Sequence, residues 1–159
     1  MRIGIPAEVK NHEYRVAITP AGVRELVLNG HEIFVQAGAG TGSSITDAEY
    51  QAAGAQVLPA ADDVWGTGDL ILKVKEPIAE EYDRMRAGQV LFTYLHLAAD
   101  KRLTEELLAR QVTGVTIERK CPGQGGGGGG VIASQLLHDA QLAERVGLAE
   151  PVAGPARRG

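Results

Sequence analysis

The feature that most constrains this chain is a hydrophobic period that keeps switching between that of a strand and that of a helix. Short runs rich in Ile, Val and Leu at residues 2–5, 31–35, 69–74, 89–94 and 112–117 read as strands. Helical patterns separate them at residues 20–29, 47–53, 60–65, 80–86 and 101–110. The best-signalled helix has Thr19 as N-cap, Pro20 at its first position, Val23, Leu26 and Val27 on one face, and Gly30 to stop it. The helix from 101 has Asp100 as its cap. Strand and helix alternating this often make βαβ units. The expected class is therefore α/β, a doubly wound, mostly parallel sheet of Rossmann-like type.

Size and charge narrow the function classes. A chain of 159 residues is expected to hold one domain with a proper core. Its net charge of −4, without a long run of one sign, gives no footprint for nucleic acid or an anionic membrane, so a small molecule is the expected partner. The N-terminus lacks a signal-peptide pattern, and no apolar run approaches the roughly 20 residues that span a bilayer. Cys121 is the single cysteine, which excludes an intramolecular disulfide and a cysteine-based metal site and fits a reducing, cytoplasmic location. The expected organisation is a domain over residues 1–118, a glycine-rich linker over 119–131 with six consecutive glycines at 125–130, and a tail over 132–159. Residues 132–146 of that tail could form an amphipathic helix.

In a doubly wound sheet, ligands bind in the crevice beyond the carboxyl ends of the strands. Arg15 follows the first strand, Lys75 follows the strand at 69–74, and His96 follows the strand at 89–94. Three strands thus aim a guanidinium, an ammonium and an imidazole at one edge. Arg15 has the planar fork that grips a carboxylate, and Lys75 adds a point charge able to polarise a carbonyl. Imidazole titrates near neutral pH and can give and take protons during carbonyl and amine chemistry. Each residue also has a plain reading: Arg15 and Lys75 as solvated surface charges, His96 as a structural histidine whose nitrogens are satisfied. Their common edge favours a site. Pro77 restricts Glu76 to extended backbone, so Lys75-Glu76-Pro77 leaves its strand in a stiff direction, although a proline that merely ends the strand fits equally. The segment from Gly38 to Ser44 lacks the spacing of a dinucleotide fingerprint and has no Gly-Lys-Ser/Thr ending, so it reads as an ordinary turn. The six-glycine run fails as a phosphate loop for want of specific side chains.

Several long motifs occur in order: Met1-Arg2-Ile3-Gly4-Ile5-Pro6, Arg15-Val16-Ala17-Ile18-Thr19-Pro20-Ala21-Gly22-Val23, Gly38-Ala39-Gly40 to Tyr50, Leu72-Lys73-Val74-Lys75-Glu76-Pro77, and Tyr94-Leu95-His96-Leu97-Ala98. Over residues 1–118 the chain resembles the N-terminal, substrate-binding part of the alanine dehydrogenase family. That resemblance implies NAD-dependent, reversible oxidative deamination of L-alanine to pyruvate and ammonium, in a homo-oligomer that is usually a hexamer. It implies that Arg15 and Lys75 hold the substrate carboxylate and carbonyl, that His96 is the acid/base, and that Tyr94 lies close by. Ala7 departs from the family's usual lysine. Ser134 stands in a region where the family contacts cofactor, but its surroundings do not match and no role is carried over. The resemblance stops after Glu118, before the family's NAD-binding domain would begin. The chain is therefore expected to be inactive alone, and the remaining sequence to be foreign to the fold, as a shifted reading frame in GC-rich codons would make it. Two other readings are the first domain of a nicotinamide nucleotide transhydrogenase, from which Tyr94-Leu95-His96-Leu97 sets this chain apart, and a non-catalytic remnant that binds ligand or assembles with full-length subunits.

Overall fold

A computed structural model describes residues 1–116. The expected linker at 119–131, the tail with its helix, Cys121 and Ser134 all lie outside the described residues. Within them, six strands form one sheet: β1 (Arg2–Ile5), β2 (Glu32–Gln36), β3 (Gln56–Leu58), β4 (Leu70–Lys75), β5 (Val90–Tyr94) and β6 (Thr113–Val115). The spatial order is β3-β2-β1-β4-β5-β6 and every ladder is parallel. The doubly wound expectation holds, with one strand more than the sequence pattern displayed. β3 spans only three residues between Gly54 and Pro59, too short to show a period.

Four α-helices cover the faces: α1 (Pro20–Leu28), α2 (Asp47–Ala52), α3 (Ala61–Thr67) and α4 (Lys101–Ala109). Local chemistry explains their starts. Thr19 caps α1 by accepting from the Gly22 N–H, Asp100 caps α4 by accepting from the Leu103 N–H, and Thr46 with Glu49 forms a reciprocal capping box on α2. The helix expected at 80–86 is instead a 3-10 helix, Ala79–Arg84, closed by i to i+3 bonds from Glu81 N to Ile78 O and from Met85 N to Tyr82 O. Burial of the Glu81 carboxylate against Lys73 accounts for the difference: it draws this short segment onto the sheet.

Each sheet face has its own core. Ile3, Ile5, Ile33 and Val35 pack with Val23 of α1 and Tyr50 of α2. Ile71, Leu91 and Leu95 pack with Trp65 of α3, Tyr82 of the 3-10 helix, and Leu103 and Leu107 of α4. Strands that bury both faces read as near-continuous apolar runs, which is why the sequence announced them as runs rather than alternations. The winding reverses between the parallel neighbours β1 and β4: from β1 the sheet grows to β2 and β3 on one side, from β4 to β5 and β6 on the other, and the crevice opens there.

Candidate functional site

A cavity of about 540 Å³ lies at the carboxyl ends of β4 and β5, walled by Arg15, Val16, Ile45, Leu72, Phe92 and Tyr94 among others. Its volume suits a small ligand, and its place is the carboxyl edge of the sheet, one strand over from the switch point between β1 and β4. Arg15 and Tyr94 are in its wall. Lys75 and His96 are not, but both adjoin it through Tyr94. Lys75 is the register partner of Tyr94 on the neighbouring strand, and the Tyr94 and His96 rings stack with centroids 6.4 Å apart and planes 17° from parallel. All four residues expected from the sequence therefore gather at one strand edge.

Arg15 is held by a neighbour that sequence reading missed. Its Nε and Nη2 donate to the two carboxylate oxygens of Glu13 at 2.8 Å and 2.6 Å. Glu13 is almost covered, with 7% of its side chain exposed, whereas Arg15 is 63% exposed. The hydrogen bond from Arg15 holds the Glu13 carboxyl down at about 2, and the nearby charge of Lys75 acts in the same direction. The same pair raises Arg15, with smaller contributions from Tyr94 and Glu8. Glu13 occupies one edge of the guanidinium and leaves the outer edge, at Nη1 and Nη2, for a ligand carboxylate. The signal available in the sequence was nearness, a carboxylate two residues from the guanidinium in the same loop.

The loop carrying Glu13 and Arg15 is braced from behind by the turn at Thr41–Ser43, the segment that read as an ordinary turn. A Cβ on Gly42 would stand 2.3 Å from the Tyr14 carbonyl oxygen, so only glycine lets the two backbones meet. Ser43 Oγ donates to that same oxygen at 3.3 Å. His96 follows the strand directly after the buried Leu95 and adopts φ 47, a left-handed conformation that a residue with a Cβ rarely takes. Its carbonyl accepts from the Ala99 N–H at 2.9 Å, which closes the turn, and its side chain is exposed at the edge. Strained backbone of this kind concentrates at sites where a side chain must be aimed.

Beneath the edge lies a buried charge cluster. Lys73 Nζ is 2.7 Å from Glu81 and 3.4 Å from Glu8, and the three side chains are 1%, 2% and 3% exposed respectively. Burial pushes the Glu8 carboxyl up, against the opposing pull of Lys73 and of the Val74 N–H. No group of three or more His, Cys, Asp or Glu among the described residues could hold a metal. No described helix is long and apolar enough to cross a membrane.

Residues 4–123 match the family model for the alanine dehydrogenase/PNT N-terminal domain. The alanine dehydrogenase of Mycobacterium tuberculosis is 61% identical over 118 residues, which cover 74% of this chain and 32% of that protein. The enzyme of the same name from Methanococcus maripaludis is 53% identical over 118 residues, again 74% of this chain and 32% of that one. Among solved structures, an L-alanine dehydrogenase aligns with TM-score 0.71 at 48% identity over 73% of this chain and 32% of its own. A transhydrogenase from Sinorhizobium meliloti aligns with TM-score 0.69 at 33% identity, covering 73% of this chain and 33% of its own. The chain thus spans about a third of the length of the curated relatives it matches. With the motifs, the sheet order and the family model in agreement, this chain belongs to the alanine dehydrogenase/PNT N-terminal domain family.

Proposed function

We propose that residues 1–118 form the substrate-binding domain of an alanine dehydrogenase, taking the carboxylate of L-alanine or pyruvate between Arg15 and Lys75. The observation that carries this reading is a guanidinium in the cavity wall, with one edge fixed by Glu13 and the other left unused, at the same strand edge as a lysine without an ion pair among the described residues. Arg15 binds the carboxylate by its remaining fork. Lys75 stabilises negative charge on the carbonyl oxygen, and Tyr94 supplies a flat wall. His96 exchanges the proton that enters or leaves the oxygen or nitrogen at the same carbon. The identity of 48% to the dehydrogenase structure, against 33% to the transhydrogenase, places the dehydrogenase reading first.

NAD, which the family implies, does not fit the described residues. A dinucleotide fold holds pyrophosphate on a glycine-rich turn between its first strand and first helix. Here β1 is followed by Pro6-Ala7-Glu8, with the Glu8 carboxylate buried at that place, and α1 begins only at Pro20. That place is filled by a carboxylate already engaged by Lys73 and the Val74 N–H, and it offers no glycine-rich turn whose N–H groups could hold a pyrophosphate. The proposed role of this domain is accordingly to bind and orient substrate. The homo-oligomer that the resemblance implies belongs to the same proposal and is read by sedimentation of the purified chain.

Titration of the full chain with pyruvate, followed by NMR, tests the reading. We expect millimolar binding, on the order of −4 kcal/mol, because a small ligand held by a few polar contacts leaves little surplus over the cost of association. Shifts should centre on Arg15, Lys75 and His96 and disappear in Arg15→Ala. Pyruvate that perturbs none of these resonances would refute the assignment.

A further inference from the structure

Lys75 stands at a strand tip that ought to be soft. β1 pairs with β4 only through Ile3 with Leu70 and Gly4 with Ile71, so from Leu72 onward that edge of β4 has no strand beside it. On the other edge the register with β5 slips by one residue between Leu72 and Lys75. A bulged tip with an open edge leaves backbone N–H groups in need of acceptors.

Glu8 fills the gap left by the end of β1. Its carboxylate accepts from the Val74 N–H at 2.7 Å and reaches the Lys75 N–H at 3.4 Å. Lys73 supplies the counter-charge, and Glu81 holds Lys73 from the far side while accepting from the Ile78 N–H at 3.1 Å. A second ion pair, between Lys10 and Glu76, ties the same two segments further along. The loop fastened in this way is the one that continues to Glu13 and Arg15. One carboxylate therefore joins the segment carrying Arg15 to the strand carrying Lys75.

We propose that Glu8 is the positioning residue of the substrate cations: by capping the bulged tip of β4, with buried Lys73 as counter-charge, it fixes Lys75 in relation to the loop of Arg15. The proposal rests on the reading of these two cations as the carboxylate clamp, and the experiment separates the two. In the full chain, hydrogen exchange at the Val74 amide should quicken at least about tenfold in Glu8→Ala, since an unsatisfied N–H opens more readily, while Ile71 and Leu91 keep their protection. Glu8→Gln retains an acceptor oxygen and should restore most of that protection, short of the whole because its amide donors face Lys73. Pyruvate affinity should follow the same order, weakened about tenfold in Glu8→Ala and largely recovered in Glu8→Gln. If Glu8→Ala does not fold, Glu8→Asp, one methylene shorter, should show the same local loss. Unchanged exchange at Val74 in the alanine variant overturns the proposal, as does protection falling equally at Val74, Ile71 and Leu91, which would make Glu8 a general scaffold residue. If the wild-type chain leaves pyruvate unbound while the exchange pattern comes out as expected, the substrate reading falls and Glu8 remains the fastening of the β4 tip.

Discussion

Lys73 and Lys75 stand two positions apart on the same strand, and although Lys73 is the one among the residues lining the cavity, their side chains meet different surroundings. Lys73 is 1% exposed between two buried carboxylates, and Lys75 is half-buried at the strand end, next to Tyr94 and within the electrostatic reach of Glu13. The first is part of the structure's interior, where a charge persists only with partners on hand. The second keeps its ammonium available at an edge. A charged side chain in this fold is therefore assigned to scaffold or to site by what surrounds it, and an ion pair with one exposed partner, such as Arg15 on the covered Glu13, can be part of a site.

The largest expected effect exploits that contrast. Lys73→Met removes the one cation between Glu8 and Glu81 and should cost about 3–5 kcal/mol, the range for a buried charge left without its partner. Lys75→Met should change stability by about 0.5 kcal/mol or less, yet remove pyruvate binding. Urea denaturation followed by fluorescence of Trp65, the chain's single tryptophan, measures both. The Lys73→Met deficit should shrink as pH falls, because the buried Glu8 carboxyl, already pushed up by burial, escapes the cost by taking up a proton. Equal losses in the two variants would erase the distinction between the regions.

Next in size is Gly42→Ala. The added Cβ meets the Tyr14 carbonyl oxygen at 2.3 Å, which is backbone against backbone, and should cost about 1–3 kcal/mol with displacement of the loop carrying Arg15. A loss of pyruvate affinity larger than any change in the core amides would mark it as a site effect. A variant as stable and as well bound as the parent would show that the two backbones are not held together.

Acid sharpens the comparison further, because two carboxylates of one loop shift in opposite directions. Glu13 is lowered from 4.5 to about 2 by its hydrogen bond from Arg15, so the pair's contribution is complete above 4.5 and is lost as pH falls through about 2. Glu8 is raised above 4.5 by burial, so its protonated form favours the fold below 4.5, and that contribution is lost as pH rises through the raised value. Carboxyl carbon shifts of the folded chain should show Glu8 titrating before Glu13 as acid is added. The reverse order would contradict the burial assigned to Glu8.

Much of this was legible in the chain itself. Arg15, Lys75 and His96 could be placed at one edge because each follows a strand whose apolar run was plain, and parallel strands bring all their carboxyl ends to one side, whereas Tyr94 came only with the family resemblance. β3 was hidden by its three residues. The run at 80–86 carries helix formers, but whether it closes as an α or a 3-10 turn is decided by the buried pairing of Glu81 with Lys73, which a sequence does not display. Glu8 was equally obscure. Its significance depends on β1 ending early, on a register slip in β4 and on a lysine reaching across from another strand, and local periodicity registers none of these.

The smallest expected effect concerns His96, whose backbone lies at φ 47. For a residue bearing a Cβ, left-handed backbone costs roughly 1–2 kcal/mol, a penalty glycine escapes. Glycine in turn loses more entropy on ordering, roughly 0.5–1 kcal/mol relative to alanine. His96→Gly and His96→Ala both discard the imidazole and whatever it contacts, so their difference isolates the backbone. Glycine should come out more stable by about 0.5–1 kcal/mol, the reverse of its usual rank against alanine, and neither variant should restore proton exchange at the site. An alanine variant as stable as the glycine one would mean that the turn after Leu95 relaxes out of the left-handed region once the imidazole is gone. In that case the imidazole's own contacts hold the strained turn, and the site edge shapes its backbone from the side chain inward, whereas Lys75 is held from the backbone outward.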